Sequence, residues 1–134
     1  MLFRSLHSGD ANFSFSGLKT AVRYLLPKIG REDQRDLCAS FQRAVVDVLV
    51  AKTVAAACAA RRELVTVSGG VSCNGELRVR MSLGCEEAGV ELRFAEPRLC
   101  TDNAAMIAFA AMLRLERGEA TPLATEINPN LALA

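Results

Sequence analysis

The sequence predicts a helix-rich α/β domain built on a small parallel sheet, and three observations predict it. A β-branched run, Leu64-Val65-Thr66-Val67-Ser68, ends in a glycine pair, then passes through a helical pattern to a second short strand, Glu91 to Ala95. Strand, helix and strand joined by short loops imply a parallel pair with a right-handed crossover. Upstream, apolar residues recur at threes and fours from about residue 32 to 61, the pattern of a long amphipathic helix. A chain of 134 residues, 51% hydrophobic and 23% charged, has the size of one domain, expected to run 1–134 with 1–12 and 122–134 irregular.

Taken in order, Ser8, Gly9, Asp10 and Asn12 read as a loop leading into Phe13-Ser14-Phe15, whose alternation suits a short extended piece with one buried face. Ser16 is a good N-cap for a helix carrying Leu18, Ala21, Val22, Leu25 and Leu26, which Pro27 and Gly30 stop. Glu32, Asp33 and Asp36 supply acids to the start of the long helix, where the macrodipole favours them. Leu37, Phe41, Ala44, Val45, Val48, Leu49, Ala55 and Cys58 form its apolar face. Gln42, Arg43, Asp47 and Lys52 lie opposite and are expected to be solvated. After the first strand, Leu77, Val79, Met81 and Leu83 mark a helix that Gly84 and Gly89 punctuate. A final helix starts at Thr101-Asp102-Asn103 and runs through Met106, Ile107, Phe109, Ala110, Leu113 and Leu115 to Gly118. Two strands make a poor sheet, since an open α/β domain carries about four to six. The remaining strands are therefore expected outside this chain.

Composition removes several function classes. Sixteen Lys and Arg against fifteen Asp and Glu leave no net field to hold nucleic acid or an anionic membrane. The single histidine, His7, excludes any two-His metal site and any His-x-x-x-His pair. Cys38, Cys58, Cys73, Cys85 and Cys100 contain no C-x-x-C, so zinc knuckles and thioredoxin-like motifs are unsupported. Their odd number, and a start without a signal-peptide pattern, fit reduced thiols and a cytoplasmic protein. The longest apolar stretch, Val45 to Ala60, contains Asp47 and Lys52 and is too short and charged to span a bilayer, so no membrane partner is expected.

Two loops are candidate sites. Ser68-Gly69-Gly70-Val71-Ser72-Cys73-Asn74 lies where a strand hands over to a helix, the end of an α/β sheet at which ligands bind. Paired glycines admit a ligand to the backbone, and the helix start offers free N–H groups. The same residues equally suit a tight turn with Asn74 as helix cap. Cys100-Thr101-Asp102-Asn103 follows the second strand. Asp102 suits a hard oxygen ligand for a metal or a substrate-positioning group, and equally a first-turn acid satisfying backbone donors. Parallel strands send both loops to one end, so Asn74 and Asp102 are expected to face one crevice. Among weaker candidates, Lys19 suits a phosphate contact or an exposed lysine, and Cys73 and Cys100 read as small buried residues. Arg78, Arg80, Arg93 and Arg98 suit RNA phosphates but are diluted by Glu76, Glu86, Glu87 and Glu91.

Three blocks together resemble a known family: Phe13-Ser14-Phe15-Ser16-Gly17-Leu18-Lys19-Thr20-Ala21-Val22; Val67-Ser68-Gly69-Gly70-Val71 with Asn74 and Leu77-Arg78; and Cys100-Thr101-Asp102-Asn103 with Ala105-Met106-Ile107-Ala108. In this order they look like the C-terminal part of the universal tRNA threonylcarbamoyladenosine transferase, formerly described as a glycoprotease or O-sialoglycoprotein endopeptidase. The resemblance implies a partial ribonuclease-H-like lobe of an actin and heat-shock-protein type ATPase fold, with a nucleotide between two lobes. Family members transfer threonylcarbamoyl from its adenylate to an adenosine beside the tRNA anticodon. By similarity Gly69 and Gly70 would back the adenosine part of the nucleotide, Asn74 would bind substrate, and Asp102 would be one of three protein ligands to an iron or zinc ion. The other two ligands are histidines of the N-terminal lobe, which nothing here replaces. The expectation is a C-terminal lobe fragment that is inactive alone, binds threonylcarbamoyl-adenylate or an adenine nucleotide, and needs an N-terminal half or accessory subunits to act on tRNA. A non-catalytic remnant or interaction module keeping the nucleotide half-site is the alternative. A peptidase has no support, because no activated Ser or Cys nucleophile and no metal-protease helix motif is present. Surface meant for missing strands should also leave exposed apolar patches and a tendency to self-associate.

Overall fold

The computed structural model describes residues 10–122 and 124–126. Expectations for residues 1–9, His7 included, and for 127–134 fall outside the described residues. The chain divides into two compact units, residues 1–101 and 102–134.

In the first unit, α1 (Ser16–Leu25) runs into a 3-10 turn, Leu26–Lys28, where Pro27 removes an N–H and stops the helix. The start of α1 differs from expectation. Phe15 occupies the cap position without a side-chain cap, and Ser16 is the first helical residue, its carbonyl accepting a hydrogen bond from Thr20 Oγ1 at 3.0 Å. Phe13-Ser14-Phe15 is no strand either: Phe13 is 48% exposed and Phe15 has left extended geometry at φ −114°, ψ 6°.

Helix α2 (Gln34–Ala59) has 26 residues and, at about 1.5 Å each, spans about 39 Å. Its polar side is not simply solvated. Lys52 is 7% exposed, and its ammonium donates to the Asp10 carbonyl at 3.0 Å, Asp10 Oδ1 at 3.1 Å and the Asn12 carbonyl at 2.6 Å. A buried ammonium needs such oxygens to replace water, and here they pin the segment before α1 against α2. Asp47 accepts from Arg43 on its own helix and from Arg80 of α3 (Gly75–Glu87), both at 3.0 Å.

Strands β1 (Leu64–Val67) and β2 (Glu91–Phe94) pair in parallel, Leu64 opposite Glu91 and Val67 opposite Phe94, with α3 as the connection. The two-residue period sends Val65, Val67, Leu92 and Phe94 inward onto Val46, Leu77, Met81 and Cys85. Leu64, Thr66, Glu91 and Arg93 face outward and are exposed, so only one face of this sheet is covered among the described residues. Parallel sheets are normally covered on both faces.

Gly84 does not end α3 but sits inside it. A Cβ there would lie 2.9 Å from Val50 Cγ1 and 3.4 Å from Val54 Cγ2, so the glycine is what lets α3 approach α2. The chain turns instead at Gly89, whose φ of +68° favours glycine. All five cysteines are free. Cys85 and Cys100 are buried, whereas Cys73 is exposed, contrary to expectation, because the turn carrying it points Ser72 inward. In the second unit, α4 (Ala104–Glu116) is capped by Asn103 and exposes Met106, Ile107, Phe109, Met112 and Leu115. Among the described residues no helix is long and apolar enough to cross a membrane.

Two outcomes follow for stability. Gly84→Val should lower unfolding free energy by about 1–3 kcal/mol, read from the denaturant midpoint, because the Val50 methyl cannot step aside. Burial, with Cys58 nearby, holds the Cys85 thiol above its ordinary range. The folded chain therefore keeps a proton that the unfolded chain releases above about pH 8.5, and stability should fall as pH rises from there. Cys85→Ala should flatten that decline in pH-dependent denaturation.

Candidate functional site

The loop leaving β1 has the geometry of a backbone platform. Gly69 adopts φ +88°, ψ 165°, a region closed to residues with a side chain, so this glycine is required by conformation. Gly70 has no such constraint, and a Cβ built on it would meet nothing within 4 Å. The space above Gly70 is open. The chain then makes a 3-10 turn, Gly70–Cys73, closed by Ser72 N–H to the Gly69 carbonyl at 2.9 Å and Asn74 N–H to the Val71 carbonyl at 3.0 Å.

This loop is fastened to the end of β2. Buried Ser72 donates its hydroxyl to Cys100 Sγ at 3.1 Å, and that thiol faces the Glu96 carbonyl at 3.3 Å. Arg78 donates Nε to the Ser72 carbonyl at 2.7 Å and a terminal N–H to the Ala95 carbonyl at 3.1 Å, with its guanidinium 4.6 Å from the Phe94 ring centroid. These bonds make Arg78 a brace between the two strand ends rather than a group free for RNA phosphate. Arg80 is engaged with Asp47, Arg93 with Glu91 at 2.7 Å, and Arg98 with Glu96 at 2.6 Å. Lys19 is exposed and makes no ion pair among the described residues.

Asn74 caps α3, its Oδ1 accepting the Leu77 N–H at 3.0 Å, and its amide nitrogen donates to Gln42 Oε1 at 2.9 Å. By sequence pattern alone Gln42 reads as a solvated residue. Both amides line an apolar groove of about 560 Å³ walled by Val22, Leu26, Phe41, Leu49, Val71 and Leu77. The groove could not be read from spacing, because its walls come from α1, α2 and the start of α3 at once. Its volume lies in the range of small-molecule sites.

Asp102 opens the second unit. Asn103, not Asp102, caps α4, accepting the Met106 N–H at 3.0 Å, so the first-turn capping role is already filled. The Asp102 side chain is exposed and has no hydrogen bond or ion pair among the described residues. Among those residues no group of three or more His, Cys, Asp or Glu could hold a metal ion. One hard oxygen donor does not make a binding site for iron or zinc, which need several convergent ligands. The residues present do not by themselves fit that metal.

Comparison with known proteins places these features. The family model described as tRNA N6-adenosine threonylcarbamoyltransferase, TsaD, matches residues 2–109. The transferase of that name from Paracidovorax citrulli is 49% identical over 120 residues, covering 87% of this chain and 34% of its own length. That from Geobacter sulfurreducens is 49% identical over 131 residues, covering 96% of this chain and 38% of its own. That from Methylibium petroleiphilum is 43% identical over 136 residues, covering 96% and 39% respectively. The chain thus spans little more than a third of the length of these relatives. With the actin-like, ribonuclease-H-like fold of that family represented here by two parallel strands and their helices, the chain belongs to the tRNA N6-adenosine threonylcarbamoyltransferase family.

Proposed function

We propose that this chain supplies the C-terminal, nucleotide-binding portion of a tRNA N6-adenosine threonylcarbamoyltransferase and is inactive without the N-terminal lobe. The observation that carries this reading is the open backbone at Gly70 beside an apolar groove rimmed by two amides. A flat, largely apolar ring with a polar edge suits those walls, and bare glycine backbone suits the close approach of a nucleotide. In the reaction, the adenosine N6 attacks the carbonyl carbon of threonylcarbamoyl-adenylate. A C–N bond forms, the mixed-anhydride C–O bond breaks, AMP leaves, and a proton departs from nitrogen. In this reading Gly69 and Gly70 hold the adenosine part, Asn74 lies at the substrate edge, and Asp102 contributes one carboxylate to a site completed by the other lobe.

The exposed residues of α4 and the uncovered face of the sheet support the same reading. The relatives are about two and a half times as long, so a complete protein of that length has further chain available to meet such surfaces. We assign their occupant as the N-terminal part of the family protein, supplied in trans. The isolated chain should then self-associate, and its free cysteines fit a reducing, cytoplasmic setting.

Three measurements test this. An adenine nucleotide at millimolar concentration should raise the melting temperature by mass action, and Gly70→Val should remove the rise without lowering the ligand-free value. The chain alone should show no stoichiometric metal by elemental analysis; a metal lost on Asp102→Ala would overturn the divided site. Mixing the chain with the N-terminal part of a relative should restore tRNA modification. Tight association without modification would instead establish a non-catalytic remnant.

A further inference from the structure

Asn74 has less freedom to bind a ligand than its place in the loop suggests, and Gln42 has more. Only an oxygen can accept the Leu77 N–H, so the cap fixes which end of the Asn74 amide is Oδ1. The amide nitrogen is then the group that meets Gln42, and the atom of Gln42 that receives it is Oε1. One backbone N–H at the start of α3 therefore sets the direction of two amides in series. After these bonds Gln42, which lines the groove, retains two N–H donors and one lone pair on Oε1.

We infer that Gln42 is the base-reading residue of the groove and that Asn74 is a positioning residue that holds it. A primary amide presents a donor beside an acceptor, the complement of the 6-amino group and N7 of adenine. Guanine presents two acceptors at the same edge and leaves the Gln42 lone pair facing another. The inference rests on the nucleotide reading above and deepens it by naming how adenine is told from guanine. The remaining walls, Val22, Leu26, Phe41 and Leu77 among them, offer area without base identity.

The test uses AMP and GMP as probes on the 134-residue chain, by calorimetry or thermal shift. The unaltered chain should prefer AMP. Gln42→Met keeps length and apolar packing and should weaken AMP binding about tenfold while leaving GMP unchanged. Asn74→Asp keeps an oxygen for the cap but loses the donor to Gln42. It should keep the ligand-free melting temperature and still lose AMP preference, and the double variant should be no worse than either single one. Binding of AMP with an AMP to GMP ratio unchanged in Gln42→Met would overturn this inference and leave the nucleotide reading standing. Binding of neither nucleotide by the unaltered chain would overturn both.

Discussion

The close approach of α3 to α2 at Gly84 is the contact on which the rest of the first unit depends. Removing one side chain lets Val50 and Val54 meet the helix backbone. Met81 and Cys85 are thereby seated under the strands, and Val65, Val67, Leu92 and Phe94 gain something to pack on. The same approach brings Asp47 to Arg80 and Gln42 to Asn74. Packing of two helices thus decides where the polar groups of the candidate site stand. An interior at close-packed density transmits such placement because it has no slack to absorb a shift.

A second layer of constraint acts at the strand ends. Ser72, Cys100 and Arg78 join the loop after β1 to the segment after β2 through buried or half-buried bonds. Among the described residues no buried side-chain polar atom lacks a partner. The loop is then a rigid platform in which Gly69 takes the turn that only glycine accepts and Gly70 is left uncovered. Rigid support of this kind is what a site needs if ligand binding is not to be spent on ordering the loop.

Much of this was legible in the sequence where one element carries its own signal. The β-branched run at 64–67, the helical span of α2 and the glycine pair after β1 each depend on neighbours within a few residues, and each appears where expected, but the face α2 buries is shifted: Ala55 and Cys58 are exposed, and Val46 and Ala57 are buried in their stead. Local pattern misleads where the deciding partner is distant in sequence. Gly84 reads locally as a helix stop, yet its role is set by Val50 some thirty residues earlier. Lys52 reads as surface until Asp10 and Asn12 fold over it. Gln42 carries no motif at all, and only Asn74 gives it direction. The capping that pattern allowed Asp102 belongs to its neighbour Asn103, because pattern does not resolve a one-residue ambiguity at a helix start.

The Lys52 clamp has a chemical consequence for a chain proposed to hold an acylating adenylate. A lysine attacks such a reagent only through a free lone pair on nitrogen, and the Lys52 nitrogen has its protons directed at three oxygens. The chain contains only two other lysines, Lys19 and Lys28, against thirteen arginines, whose delocalised guanidinium groups are poor nucleophiles. Positive charge is thus carried mostly in a form that such a reagent does not consume, and the amine nearest the core is committed to the bonds that hold the fold.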